Sequence, residues 1–147
     1  LVAIAHVSDV LMVARGDLGV EVGYENVPSV ERRINEIGNR LGKPTIVATE
    51  VLHSMVKEGS RPTRAEVEAL YGAIYDHGAD AVMLAKEASF GKFAANAIGA
   101  AGRIVARAEE DLHMSAYRGY VDGETPDTVL PAGSPQQVLI AALTNES

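Results

Sequence analysis

Residues 9–17 read DVLMVARGD: an apolar run from Asp9 to Ala14 that passes directly into Arg15, Gly16 and Asp17. The same plan recurs twice, in PTIVAT (residues 44–49) and DAVMLA (residues 80–85). Continuous apolar runs of this length suit strands buried on both faces, as in a parallel sheet covered by helices. Each run reaches an alanine beside polar residues: Arg15-Gly16-Asp17, Thr49-Glu50 and Lys86-Glu87. The runs are spaced roughly 35 residues apart, enough for a strand, a loop, a helix and a return.

The stretches between the runs carry helical signals. After Pro28-Ser29, Val30, Ile34, Ile37 and Leu41 recur at steps of three and four, which predicts one apolar helix face. Gly42-Lys43-Pro44 then supplies a stop and a residue that cannot continue the helix. Thr63-Arg64-Ala65-Glu66 predicts a capping box, with each of Thr63 and Glu66 satisfying the other's amide. Val67, Leu70 and Ile74 follow on one face, and Gly78 ends the segment. A third helix is expected from about Phe93 to Leu112, where AANAIGAAGRIVARA offers small side chains for close packing. Its glycines each cost about 1 kcal/mol of helix propensity relative to alanine, so packing is expected to justify them. Beyond that helix, Pro126, Pro131 and Pro135 interrupt the pattern, and Ser134-Pro135 predicts the start of one more helix. The domain reading is therefore βα units over residues 1–115, then a linker and the start of a further helix over residues 116–147.

Composition narrows the function classes. The chain has 147 residues, 47% hydrophobic and 22% charged, which fits one globular domain. Thirteen basic against twenty acidic residues give a net charge of −7, and no basic run is present to neutralise phosphates, so nucleic acid is not an expected partner. The absence of cysteine excludes disulfides and thiolate metal sites. His6, His53, His77 and His113 lack metal-ligand spacing and read as surface or packing residues. No apolar stretch is long enough to span a bilayer and no basic-then-apolar leader opens the chain, so a cytoplasmic location without membrane partners is expected. The first residue is Leu1 rather than methionine, which fits an excised or processed piece.

Three strand-then-helix units imply an α/β fold with parallel strands, either an open doubly wound sheet or part of a barrel. In both, the polar residues after the strands gather on one face, where ligands bind. Arg15, Asp17, Thr49, Glu50, Lys86 and Glu87 are thus candidates for one shared site.

The stretch MVARGDLGVEV (residues 12–22) resembles the metal-and-substrate loop of pyruvate kinases. The likeness continues in order through GKPTIVATEVLHSM, RPTRAEV, GADAVMLAKEA and AYRGYVD. It implies the last three βα units of a TIM (β/α) barrel, an incomplete barrel on this chain, followed by the start of a C-terminal domain. It also implies phosphoryl transfer from phosphoenolpyruvate to ADP in glycolysis, giving pyruvate and ATP, with Mg²⁺ or Mn²⁺ and K⁺ as cofactors. On this resemblance Asp17 binds the metal, while Gly16, Asp17 and Thr49 bind substrate. Arg15 holds the site's geometry, and Thr49 belongs to a hydroxyl and water relay that protonates the enolate. A glycine lets backbone amides approach an anion, and an aspartate is a hard oxygen ligand suited to Mg²⁺. For Asp17 the competing reading is an ordinary turn or helix-capping aspartate.

Two features depart from the family pattern. Lys86 stands before Glu87 where the family has Ser or Gly, Ala88 after it where the family has Ser or Thr, and Glu50-Val51-Leu52-His53 replaces Gln-Met-Leu-Glu. Lys86 is expected to pair with Glu50 or Glu87, which makes these three secondary site candidates. The family's catalytic lysine and second metal-binding glutamate belong to blocks upstream of Leu1. The expectation is therefore a phosphotransferase segment, inactive or impaired alone, acting within a longer chain or a homo-oligomer. The alternatives are a non-catalytic interaction or scaffold relative, and a metal-dependent lyase or aldolase on pyruvate-like keto acids.

Overall fold

The computed structural model describes residues 1–48, 51–57, 61–89 and 92–121. Three parallel strands form one sheet in the order β1-β2-β3: β1 is Leu11–Ala14, β2 Thr45–Ala48 and β3 Ala81–Met83. Their register aligns Met12 with Ile46 and Ala81, and Ala14 with Ala48 and Met83. A short helix α1 (Val2–Val7) precedes β1, and α2 (Arg15–Val22) follows it at once. After a 3-10 turn at Tyr24–Asn26, α3 (Val27–Leu41) returns the chain to β2. Then come α4 (Ser54–Lys57), α5 (Arg64–Tyr75), β3, α6 (Lys86–Ser89) and α7 (Ala94–Val121). This is an α/β fold of parallel βα units. The strands start later than the apolar runs, β3 also stops short of its run's end, and the sequence pattern did not separate α1, α2, α4 and α6 from loops. The final helix continues beyond Leu112 to Val121; the proline-interrupted stretch from residue 122 and the expected helix at Ser134 lie outside the described residues.

The strands are covered on one face and only partly on the other, where Ala48 alone is buried among the described strand residues, which corrects the expectation of burial on both. Leu11, Val13, Thr45 and Val47 are buried beneath helices, whereas Met12 is 54% exposed and Met83 40% exposed on the opposite face. Period-two alternation puts Met12, Ile46 and Ala81 on that second face, the face that a closed barrel turns toward its interior. The apolar runs are written for both environments, and three strands close only one of them.

The covered face holds two clusters. Val51, Leu52, Met55 and Leu70 pack with Ala97, Ala100 and Ala101 of α7, and Val47, Ala73, Ile74 and Ala79 pack with Ala108. The alanines of α7 do the close packing that the sequence suggested. The glycines do not: Gly102 is exposed, and a Cβ there would meet nothing within 4 Å.

Helix α3 turns a different face inward from the one its apolar periodicity marked. Glu31, Asn35 and Gly38 are buried, while Val30, Ile34, Ile37 and Leu41 are only half-buried. At 100° per residue the apolar stripe sits roughly a quarter-turn from the contact line. Gly38 explains the offset, because a Cβ there would collide with Thr45 Cγ2 and stand 3.0 Å from the Lys43 carbonyl oxygen. The helix therefore seats its glycine against the sheet, and it also packs beside α1 and α2. The buried polar residues are unequally served. Glu31 Oε1 lies 3.2 Å from His77 Nδ1, Asn39 Nδ2 donates to the Gly78 carbonyl at 3.1 Å, and neither polar atom of Asn35 has a partner. His77 is thus a packing residue with a polar contact.

Below the sheet, Asp80 closes the start of the β2–β3 pair. Its Oδ2 accepts the Thr45 amide at 2.8 Å and the Thr45 hydroxyl at 3.3 Å.

Candidate functional site at the strand ends

Parallel strands in register deliver their following residues to one edge. Ala14, Ala48 and Met83 stand side by side, with adjacent strands about 4.8 Å apart. From Ala14 the chain turns directly into α2, whose first turn is Arg15, Gly16 and Asp17. The helix begins at Arg15, directly after the strand. Its N-cap, Ala14, has no side-chain acceptor. First-turn amides and the helix dipole favour an anion there. Asp17 is exposed, Arg15 is half-buried, and Gly23, with φ of 84°, ends the helix. Thr49 and Glu50 lie outside the described residues.

The third edge behaves differently from the sequence expectation. Glu87 is 1% exposed, and its carboxylate accepts the Ala85 amide at 2.9 Å through Oε2 and the Leu52 amide at 3.3 Å through Oε1. Lys86 is exposed, and the partners of the Glu87 carboxylate are backbone amides rather than this lysine. Both oxygens are thus satisfied by backbone N–H donors, as a buried polar group requires.

A second carboxylate organises the adjoining loop. The capping box is formed as expected: Glu66 Oε2 accepts the Thr63 amide at 2.7 Å, and Thr63 Oγ1 accepts the Glu66 amide at 3.3 Å. Glu66 also accepts the Ser54 amide at 2.7 Å and the Ser54 hydroxyl at 2.5 Å. It therefore joins the starts of α4 and α5, a function the local Thr-x-x-Glu pattern does not announce. Partial burial pushes its pKa up, but the bonds from Ser54 and Thr63 outweigh that and hold the carboxyl below its ordinary value.

Among the described residues no group of three or more His, Asp or Glu side chains gathers to hold a metal. Asp17 can supply one oxygen, which matches the habit of Mg²⁺ of taking one or two carboxylates and completing its shell with water and substrate. A groove of about 440 Å³ between α5 and α7 is lined by Tyr71, Tyr75, Arg107 and Asp111. It belongs to the C-terminal portions of helices that run back against the strands, so it sits at the other end of the fold. There Tyr71 donates to Asp111 at 2.9 Å, and desolvation together with that bond raises the phenol's pKa.

Comparison with known proteins identifies a family and supports the fold. The family model described as "Pyruvate kinase, barrel domain" matches residues 1–98. A pyruvate kinase of Methylorubrum extorquens is 51% identical over 108 residues, covering 74% of this chain and 22% of that protein. One from Agrobacterium vitis is 42% identical over 142 residues, covering 97% and 28%. The crystal structure of a pyruvate kinase from Cryptosporidium parvum superposes with a TM-score of 0.72 at 37% identity, covering 86% of this chain and 25% of that one. The chain thus spans about a quarter of the length of the relatives it matches. No helix among the described residues is long and apolar enough to cross a membrane.

Proposed function

Since the chain belongs to the pyruvate kinase family, we propose that it carries part of a phosphotransferase site, for transfer from phosphoenolpyruvate to ADP. The observation that supports this most is the register of Ala14, Ala48 and Met83, which ends the three strands at one edge of one sheet. In this reading Gly16 lets the first-turn amides of α2 approach the substrate carboxylate. Asp17 is the chain's ligand to Mg²⁺, with K⁺ as the second cation by family resemblance. When bound, the divalent ion supplies charge stabilisation for the enolate left as the phosphoryl group departs. Arg15 keeps the turn's geometry. Thr49 passes a proton within a relay, because a hydroxyl is too weak an acid to act alone near neutral pH.

Phosphoryl transfer depends on positioning and charge stabilisation. In this reading a chain without the family's lysine and second acidic ligand turns over far more slowly than a relative that holds them.

Two measurements test the reading. A coupled assay with phosphoenolpyruvate, ADP and Mg²⁺ is expected to show at most weak turnover that Asp17→Ala removes. Titration with oxalate, a planar dianion resembling the enolate of pyruvate, is expected to shift the amide resonances of Gly16 and Asp17 only when Mg²⁺ is present. Turnover or shifts indifferent to Asp17→Ala would refute the assignment.

One observation keeps the scaffold reading alive: the exposed face around Met12 and Met83 calls for a covering partner. That reading expects no Mg²⁺-dependent response to oxalate. A lyase or aldolase would need a second acidic ligand near Asp17, and the engagement of Glu87 by two amides counts against it.

A further inference from the structure

The buried carboxylate of Glu87 holds two loops that are 35 residues apart in sequence. Glutamate is almost never this deeply buried unless paired, and here both oxygens are used on backbone amides. The residues that donate lie just before helix starts. The Leu52 carbonyl accepts the Met55 amide at 3.0 Å, and the Ala85 carbonyl accepts the Ser89 amide at 3.1 Å and its hydroxyl at 2.9 Å. One side chain thus fixes where α4 begins after β2 and where α6 begins after β3. At the other end of the same strand pair Asp80 acts alike on Thr45, so the two strands are bracketed by acceptors above and below.

We propose that Glu87 is a positioning residue: it sets the loop leaving β2 against the loop leaving β3, and through them the geometry of the strand-end site, without touching reacting atoms. Its consequence at the site rests on the phosphotransferase reading above, whereas the loop tie does not. Both oxygens are occupied by backbone amides, so a residue in this role ties the loops together rather than meeting the reacting atoms. Glutamine is nearly the same size, but its amide NH₂ would oppose one of the two backbone N–H donors.

The test uses the full 147-residue chain, Glu87→Gln and Glu87→Asp, with amide exchange and oxalate–Mg²⁺ titration read by NMR. In Glu87→Gln, exchange at Leu52 and Ala85 is expected to accelerate by about tenfold or more, while amides within α3 and α5 keep their rates, the signature of local opening. Oxalate affinity is expected to fall by about tenfold, with Glu87→Asp retaining more of it because both acceptors survive. Unchanged exchange at Leu52 and Ala85 overturns the tie. Uniform acceleration across the chain overturns positioning in favour of a general core role. Local opening with unchanged oxalate affinity overturns the link to the site. No oxalate response in the parent chain refutes the functional reading and that link together, and leaves the tie to be judged by exchange alone.

Discussion

Replacing Gly38 with alanine tests the account of how α3 seats on the sheet. The added Cβ would collide with Thr45 Cγ2, stand 3.0 Å from the Lys43 carbonyl oxygen and 3.4 Å from Leu11 Cδ1. The first neighbour is a rigid β-branched methyl and the second is backbone, so neither yields cheaply. Overpacking of this kind costs about 1–3 kcal/mol, and contact with backbone places it at about 3. Alanine in place of a helical glycine returns about 1 kcal/mol. The net expectation is a loss of about 2 kcal/mol, read as a lowered urea midpoint at unchanged m-value. Thr45→Ser removes the colliding methyl while keeping the hydroxyl that donates to Asp80. In that background the Gly38→Ala penalty is expected to fall by about half, a coupling measurable in a double-mutant cycle. Gly102→Ala is the control: with open space around it, it gains about 0.5–1 kcal/mol. Gly38→Ala as stable as the parent, or a penalty that Thr45→Ser leaves untouched, would refute the reasoning.

Asn35→Leu is expected to raise stability by about 1–2 kcal/mol in urea unfolding, because both polar atoms of Asn35 are buried without partners; a loss would mean that Asn35 is satisfied in solution. Glu66 gives a pH dependence of definite sign. Its folded pKa is lowered, so its stabilisation is present above the ordinary glutamate range, about 4.3, and is lost as pH falls through the lower folded value. The difference in urea midpoint between the parent and Glu66→Gln should therefore be largest near neutrality and shrink in acid. A difference that grows as pH falls would contradict it.

The fold class was legible because three apolar runs at nearly equal spacing admit few arrangements, and the parallel order follows from the helices between them. The Thr63–Glu66 box was legible because a cap is local: its partners are three residues apart. What escaped the sequence is non-local. Nothing near Glu66 names Ser54, nothing near Glu87 names Leu52, and the inward face of α3 is set by a close approach at Gly38 rather than by where its apolar side chains fall. The candidate site divides in the same way. Arg15, Gly16 and Asp17 are contiguous and could be read as a unit, whereas Glu87 read as one of two possible partners of Lys86 until its burial showed which donors it faces.

The placement of the four methionines makes the chain its own footprinting reagent. Met12 and Met83 lie on the open sheet face, Met114 on an exposed side of α7, and Met55, 1% exposed, in the core. Thioether oxidation follows solvent access, so peroxide should convert Met12, Met83 and Met114 to sulfoxides well before Met55. Shielding of Met12 and Met83 with Met114 still reactive would reveal that something has come to rest on that face.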